Sequence, residues 1–257
     1  MQTMMRPVLT CLAIAFMSTI TGFAEGILDI DSKRHLFILS GQSNMFLMRP
    51  QLSFTPAVEK AFGRDNITVI HSAKRGAPIR MWDKDYPWPE DREIPQGRKR
   101  PGKKETTREE FVSKFGERYD MLMTALKHQT HGKSYKTVTF IWMQGESDAG
   151  GKLADSYVAS FERVIERLKA DLGIESMHIV IGRLSDYGAT NPEWIKMREL
   201  QVKYADDTTN CEWVDTDDLN DVEYEGATRN DLHYTKEGYK ILGQRFAEKA
   251  IGMIEKG

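Results

Sequence analysis

Five short runs of aliphatic, β-branched and aromatic residues set the tightest limit on what this chain can fold into. They are His35-Leu-Phe-Ile-Leu39, Ile67-Thr-Val-Ile70, Thr137-Val-Thr-Phe-Ile-Trp142, His178-Ile-Val-Ile181 and Cys211-Glu-Trp-Val214. Mostly continuous rather than alternating, they have the pattern of strands covered on both faces. Longer segments of helical period separate and follow them. Phe111, Phe115, Leu122 and Leu126 mark one apolar stripe; Leu153, Tyr157, Phe161, Val164 and Leu168 mark a second; Tyr239, Leu242 and Phe246 mark a third. Gly173 stands where a left-handed residue would close the second helix. Strands alternating with helices predict an α/β protein with a mainly parallel five-stranded sheet and helices on both faces. Ligands of such sheets bind beyond the carboxyl ends of the strands, which is where functional residues are sought.

The 257 residues suffice for one large domain, and no repeat or low-complexity linker divides them. Residues 1–24 have the form of a secretory signal peptide: Arg6 precedes the apolar run Pro7–Met17, and Gly22 and Ala24 occupy the −3 and −1 positions of a cut before Glu25. The apolar part is short for a membrane span. Cleavage would leave residues 25–257 as a secreted or periplasmic domain without stable membrane insertion, and would remove Cys11. The net charge of −2 over the whole chain becomes −3 over the 35 basic and 38 acidic residues that remain. That balance argues against a nucleic-acid partner, whose phosphates demand excess Lys and Arg. Cys211 then has no internal disulfide partner, and its strand setting predicts a buried thiol. Residues 83–107, with four prolines, seven basic and six acidic residues, are expected to form a solvated insertion; their basic run Arg98–Lys104 is surrounded by acids.

Three strand ends carry polar clusters. Ser43, in Ser40-Gly-Gln-Ser-Asn-Met45, can present a hydroxyl with backbone N–H groups beside it to hold an oxyanion, or can simply cap a helix. No G-x-S-x-G elbow accompanies it, which disfavours an ordinary α/β-hydrolase. Gln144 and Glu146 follow the third strand as an amide donor and either an orienting carboxylate or a solvated loop acid. Near the C-terminus, Asn230-Asp-Leu-His-Tyr234 places His233 on a loop beside a carboxylate, the arrangement of a general base. Of the other histidines only His71, closing the second strand, falls near these ends.

These blocks together resemble the SGNH hydrolase superfamily, in particular its carbohydrate-esterase branch of sialate O-acetylesterases and acetyl xylan esterases. The resemblance rests on Leu39-Ser-Gly-Gln-Ser-Asn-Met45, Ala73-Lys-Arg-Gly-Ala-Pro-Ile-Arg-Met-Trp82, Ile141-Trp-Met-Gln-Gly-Glu-Ser-Asp148 and Asp231-Leu-His-Tyr-Thr-Lys-Glu-Gly-Tyr239, in the family's order and across nearly the whole mature chain. It implies a three-layer, flavodoxin-like α/β/α sandwich that hydrolyses O-acetyl esters on a carbohydrate without metal or organic cofactor. It implies Ser43 as nucleophile and His233 as base. The oxyanion hole would come from the backbone N–H groups of Ser43 and Gly76 and the amide of Gln144, with Glu146 supporting the site. Two positions depart from the family pattern. Arg75 stands where the first of two glycines is usual, and Asn230 stands where the triad acid is usual, three residues before the histidine; either Asp231 takes that role through a shifted loop, which is the favoured candidate, or another acid supplies it, or a Ser-His dyad works without one. Arg75 and Asn230 are also what a carbohydrate-binding protein that kept the fold and lost the chemistry would show. An esterase or lipase for lipid or aryl esters is a third reading, disfavoured because no long apolar lid segment is present. Trp82, Trp88 and Tyr187 are candidates for a sugar-stacking rim or for ordinary packing, and Arg183 and Asp186 follow the fourth strand within reach of a substrate.

Overall fold

The computed structural model describes residues 26–96 and 104–256; the expected signal peptide and most of the basic run at 98–104 lie outside them. Five parallel strands make the central sheet: β1 (His35–Gly41), β2 (Ile67–Ala73), β3 (Thr137–Met143), β4 (His178–Gly182) and β5 (Cys211–Val214), in the order β2-β1-β3-β4-β5. Each contains the apolar run expected of it. Leu36 through Leu39 of β1 are fully buried, as a central strand with both faces covered requires. The chain leaves β1 toward β2 on one side and returns to β3 on the other, so the sheet reverses its winding between β1 and β3. A crevice at the carboxyl ends of two such strands is where α/β sheets of this order bind ligands.

Helices cover both faces. One layer holds α2 (Phe54–Phe62) and α8 (Lys236–Lys256), which pack on each other; α4 (Glu117–Thr130), α6 (Ala154–Leu172) and α7 (Pro192–Asp207) form the other. This is the expected three-layer sandwich. The stripe at 111–126 is not one helix, however. Gly116 adopts φ 73° and separates α3 (Arg108–Val112) from α4, at a point where a Cβ would collide with Lys84. Thr107 and Glu110 cap α3 reciprocally. Gly173 ends α6 in the left-handed conformation as expected. Unanticipated elements are α2, α7 and an antiparallel hairpin, β6 (Asp221–Tyr224) and β7 (Ala227–Asn230). The hairpin turns on Glu225 and Gly226, both at positive φ, which suits the twist of a two-residue loop.

The described part of the segment 83–107 is mostly exposed, as expected of a solvated insertion, but it is anchored to the body at a few points. Asp83, Tyr86 and Trp88 are buried. Arg163 of α6 grips the Asp83 carboxylate at 2.7 Å, and Arg92 reaches back to the Gly151 carbonyl at 2.5 Å. Arg108 donates to the carbonyls of Trp88, Pro89 and Glu90. Trp82 is core, not rim: it has no exposed surface, meets Trp142 edge-on at 5.1 Å and donates its indole N–H to Ser40 Oγ. Tyr187 is exposed, edge-on to Trp194. Cys211 is partly buried at the start of β5.

Candidate active site

Gly41 ends β1 at φ 145°, where a Cβ would lie 2.0 Å from the Met143 carbonyl oxygen. Only glycine lets β1 and β3 finish this close together, and Gln42 N–H then donates to that same carbonyl at 2.9 Å. Ser43 follows as the first residue of a short helix, α1 (Ser43–Leu47), and is 5% exposed. As a first-turn residue its N–H has no intrahelical acceptor, and among the described residues it has no other. The loop after β2 is drawn alongside by Lys74 N–H, which donates to the Gly41 carbonyl at 3.0 Å. Gly76, at φ 64° on this loop, likewise presents an N–H without an acceptor among the described residues. Two unpaired backbone donors therefore border the two loops that flank the switch point.

Asn44 ties the remaining parts to this corner. Its Nδ2 donates to Glu146 Oε1 at 2.9 Å and to the Leu232 carbonyl at 3.2 Å, and its Oδ1 accepts from the Tyr239 hydroxyl at 2.9 Å. The residue after Ser43 thus bonds the residue before His233. In this way the fold brings Ser43, Glu146 and the His233 loop to one place, although nearly 200 positions separate the first from the last.

Glu146 and Asp148 follow β3 on the short helix α5 (Glu146–Gly150) and are buried. Loss of water pushes the Glu146 carboxyl up to about 7, against the opposing pull of hydrogen bonds from backbone N–H and Asn44. Burial likewise raises Asp148 to about 6, although Gln144, the Ile79 N–H and the charge of Arg80 favour its ionised form. Gln144 has no exposed surface. Its Nε2 donates to Asp148 Oδ2 at 2.5 Å and lies within bonding reach of Gln42 Oε1 and the Ala77 carbonyl, at 3.2 and 3.3 Å. An amide nitrogen has two hydrogens, so these acceptors already occupy it. Because Gln42 precedes Ser43 and Ala77 follows Gly76, Gln144 braces both loops that carry the free N–H groups.

His233 is partly exposed, and among the described residues its imidazole receives no side-chain hydrogen bond. Asp231 Oδ1 accepts the histidine's backbone N–H at 3.3 Å. Asn230 turns elsewhere: its Nδ2 donates to Asp186 Oδ1, and its Oδ1 accepts from the buried Asn220, each at 2.5 Å. Asn220 also donates to the Asp231 carbonyl at 2.8 Å. Arg183 is committed to Asp215 and Asp217. His71 bonds the Met45 carbonyl at 2.9 Å and so props α1. Arg75 lies over the Phe46 ring at 5.0 Å, on an exposed lip near Gly76. Asn44, Gln42, Asp148 and Asn220 were not singled out as functional from sequence. Their signal was available in three cases: polar side chains immediately after apolar strands must be satisfied internally once buried. Among the described residues no group of three or more His, Cys, Asp or Glu could hold a metal ion.

Comparison with known proteins now adds to this geometry. The fold matches a protein from Arabidopsis thaliana with 18% identity and a TM-score of 0.59, over 85% of this chain and 98% of that one. A carbohydrate acetylesterase from Xanthomonas citri matches with 16% identity and a TM-score of 0.60, over 86% of this chain but 56% of that longer one. NanS matches with 11% identity and a TM-score of 0.58, over 91% of this chain and all of NanS. No curated protein matches in sequence. A family profile described as carbohydrate esterase, sialic acid-specific acetylesterase, matches residues 47–252, a stretch that begins just after Ser43 and includes His233. By that match over most of its length, the chain belongs to the carbohydrate esterase family of sialic acid-specific acetylesterases.

Proposed function

We propose that the protein is an exported serine esterase that removes O-acetyl groups from a carbohydrate. The observation that carries this reading is the bridge through Asn44, which holds the nucleophile turn against the loop of the base. Ser43 attacks the acetyl carbonyl and His233 takes its proton; the alkoxide of the sugar leaves with that proton, and water then releases acetate through the same histidine. The free N–H groups of Ser43 and Gly76 supply the oxyanion hole, each worth about 3 kcal/mol in the transition state. Gln144 keeps the two donors in register. Asp231, two residues before the histidine and accepting its backbone N–H, is the triad acid.

The test is acetate release from acetylated sialic acid, acetylated xylan and p-nitrophenyl acetate by the wild type, Ser43→Ala and His233→Ala. Each substitution is expected to cut kcat/KM by about 10⁴-fold or more, with little further loss in the double variant because the two groups act as a unit. A wild type as inert as Ser43→Ala on every ester would leave the binding-protein reading in place, the one that Asn230 and Arg75 favour.

A further inference from the structure

The turn after β5 is built into the core. Asp217 is gripped by Arg183 at 2.8 Å and by Arg198 of α7 at 2.6 Å, and the buried Thr216 donates its hydroxyl to the Arg183 carbonyl at 2.7 Å. Asn220 ends this turn and has no exposed surface, whereas Asn230 and Asp231 across from it are exposed. Asn220 nonetheless holds Asp231 by both of its backbone groups. The Asp231 N–H donates to the Asn220 carbonyl at 3.0 Å, and Asn220 Nδ2 donates to the Asp231 carbonyl at 2.8 Å. The same amide nitrogen reaches Asn230 Oδ1 at 2.5 Å and Ser185 Oγ at 3.2 Å, while Asn220 Oδ1 has no partner among the described residues. Two hydrogens thus face three acceptors, and the two shorter bonds go to the residues that lead into His233. Asp186, on the loop after β4, holds Asn230 from its other side at 2.5 Å. Asn220 is the point at which an exposed loop takes its position from the buried body of the protein.

We propose that Asn220 is a positioning residue for the hydrolysis, clamping Asp231 and so fixing Asp231 and His233 in register with Ser43. The proposal rests on the esterase reading and on Asp231 as the acid of that reading. Asp231 Oδ1 takes the His233 N–H, so a shift of the Asp231 backbone carries both residues with it. Misplacing a reacting group by about 1 Å costs on the order of 10²-fold in rate, even when the altered residue lies outside the chemistry. A residue that merely fills space would behave differently. Removing the Asn220 amide frees acceptors on two exposed residues, which water can satisfy, so the fold keeps a substitute partner while the loop loses its fixed one. The loss is expected in rate, through Asp231, before it is felt in stability.

The test is a double-mutant cycle on kcat, with p-nitrophenyl acetate and acetylated sugars as substrates and Asn220→Ala, Asp231→Ala and their combination as variants. Asn220→Ala is expected to lower kcat by about 10²-fold, with KM within about threefold of the wild type. In the Asp231→Ala background the same substitution should lower kcat by less than about threefold, because the group it positions is gone. Amide exchange adds a readout without turnover: Asp231 and His233 should exchange faster by about tenfold or more in Asn220→Ala, with β1 unchanged. Should the alanine variant lack a cooperative melting transition, Asn220→Ser carries the same cycle, with the same coupling to Asp231 expected. A kcat within about threefold of the wild type in the folded variant overturns the proposal. So does a loss carried by KM, exchange at Asp231 and His233 that does not change, or a fall in kcat undiminished in the Asp231→Ala background, which would make Asn220 a general prop of the fold. A wild type that releases no acetate from any ester defeats the esterase reading and the positioning role with it. An active wild type indifferent to loss of the Asn220 amide defeats the positioning role alone.

Discussion

Ser43 follows a strand whose residues Leu36 to Leu39 are fully buried, whereas His233 follows a hairpin whose second strand is exposed throughout. The Ser43 turn is joined to the sheet by backbone bonds on both sides, from Gln42 to Met143 and from Lys74 to Gly41. The histidine loop is tied not to the sheet but to the turn before the hairpin, by Asp231 N–H on the Asn220 carbonyl at 3.0 Å and Thr235 N–H on the Leu219 carbonyl at 3.1 Å, and by side chains, Asn44 to Leu232, and Asn220 to Asn230 and to the Asp231 carbonyl. Regions with few buried contacts and exposed backbone open at lower free energy than the core. One half of the site is thus set by the sheet itself, while the other depends on discrete polar ties. Substitutions on the strand side should be felt first as lost stability, and those on the hairpin side first as lost rate.

Asp231→Ala offers the largest effect by which to break this contrast. The expected outcome is a fall in kcat of about 10³-fold with an unchanged melting temperature, against less than about tenfold for Asn230→Ala. Full activity in both would reduce the machinery to a Ser-His pair, and unfolding in Asp231→Ala would erase the distinction between the two halves. Next in size is Asn44→Ala, which strands the buried Glu146 without its side-chain donor and frees the histidine loop. Urea denaturation should show a loss of about 3 kcal/mol, accompanied by a lower kcat. An unmoved midpoint would show that the strand side needs no such bridge.

Glu146→Gln sharpens the comparison most finely. Because burial raises the native carboxyl to about 7, the folded state keeps a proton that the unfolded chain, at its ordinary 4.5, has released. Wild-type stability therefore falls as pH rises from about 4.5 to 7 and is level above. The glutamine variant, which still offers Asn44 an acceptor, should lose the Glu146 part of this slope while the part that Asp148 contributes up to about pH 6 remains, and should be more stable than the wild type by on the order of 2 kcal/mol at pH 8. Parallel profiles of melting temperature against pH would contradict it.

The sheet was legible because its strands are continuous apolar runs, and structure extends them by no more than three residues at an end. Helix α7 was hidden because its buried face, Trp194, Met197, Gln201 and Ala205, carries a glutamine in the stripe; Gln201 is bound to the Gln144 carbonyl and the Leu184 N–H. The hairpin was hidden because its strands are short and charged. Parallel strands necessarily deliver Ser43, Gly76 and Gln144 to one edge, so their proximity could be read from order alone. What could not be read is how their polar atoms are spent. The pairing of Asn230 with Asp186 joins positions 44 apart, and Gln144 meets Ala77 across 67, and no local pattern encodes either.

Cys211 at the edge of β5 has a bearing on where such a protein can survive. Burial pushes its thiol up to about 12, so at pH 7 on the order of one molecule in 10⁵ carries the thiolate that attacks disulfides and peroxides. Removal of the first 24 residues would leave it without an internal partner, a hazard in oxidising surroundings where chains cross-link through exposed sulfur. Its protonated state makes this chain slow to dimerise covalently there, a kinetic protection that needs neither a second cysteine nor a reductant.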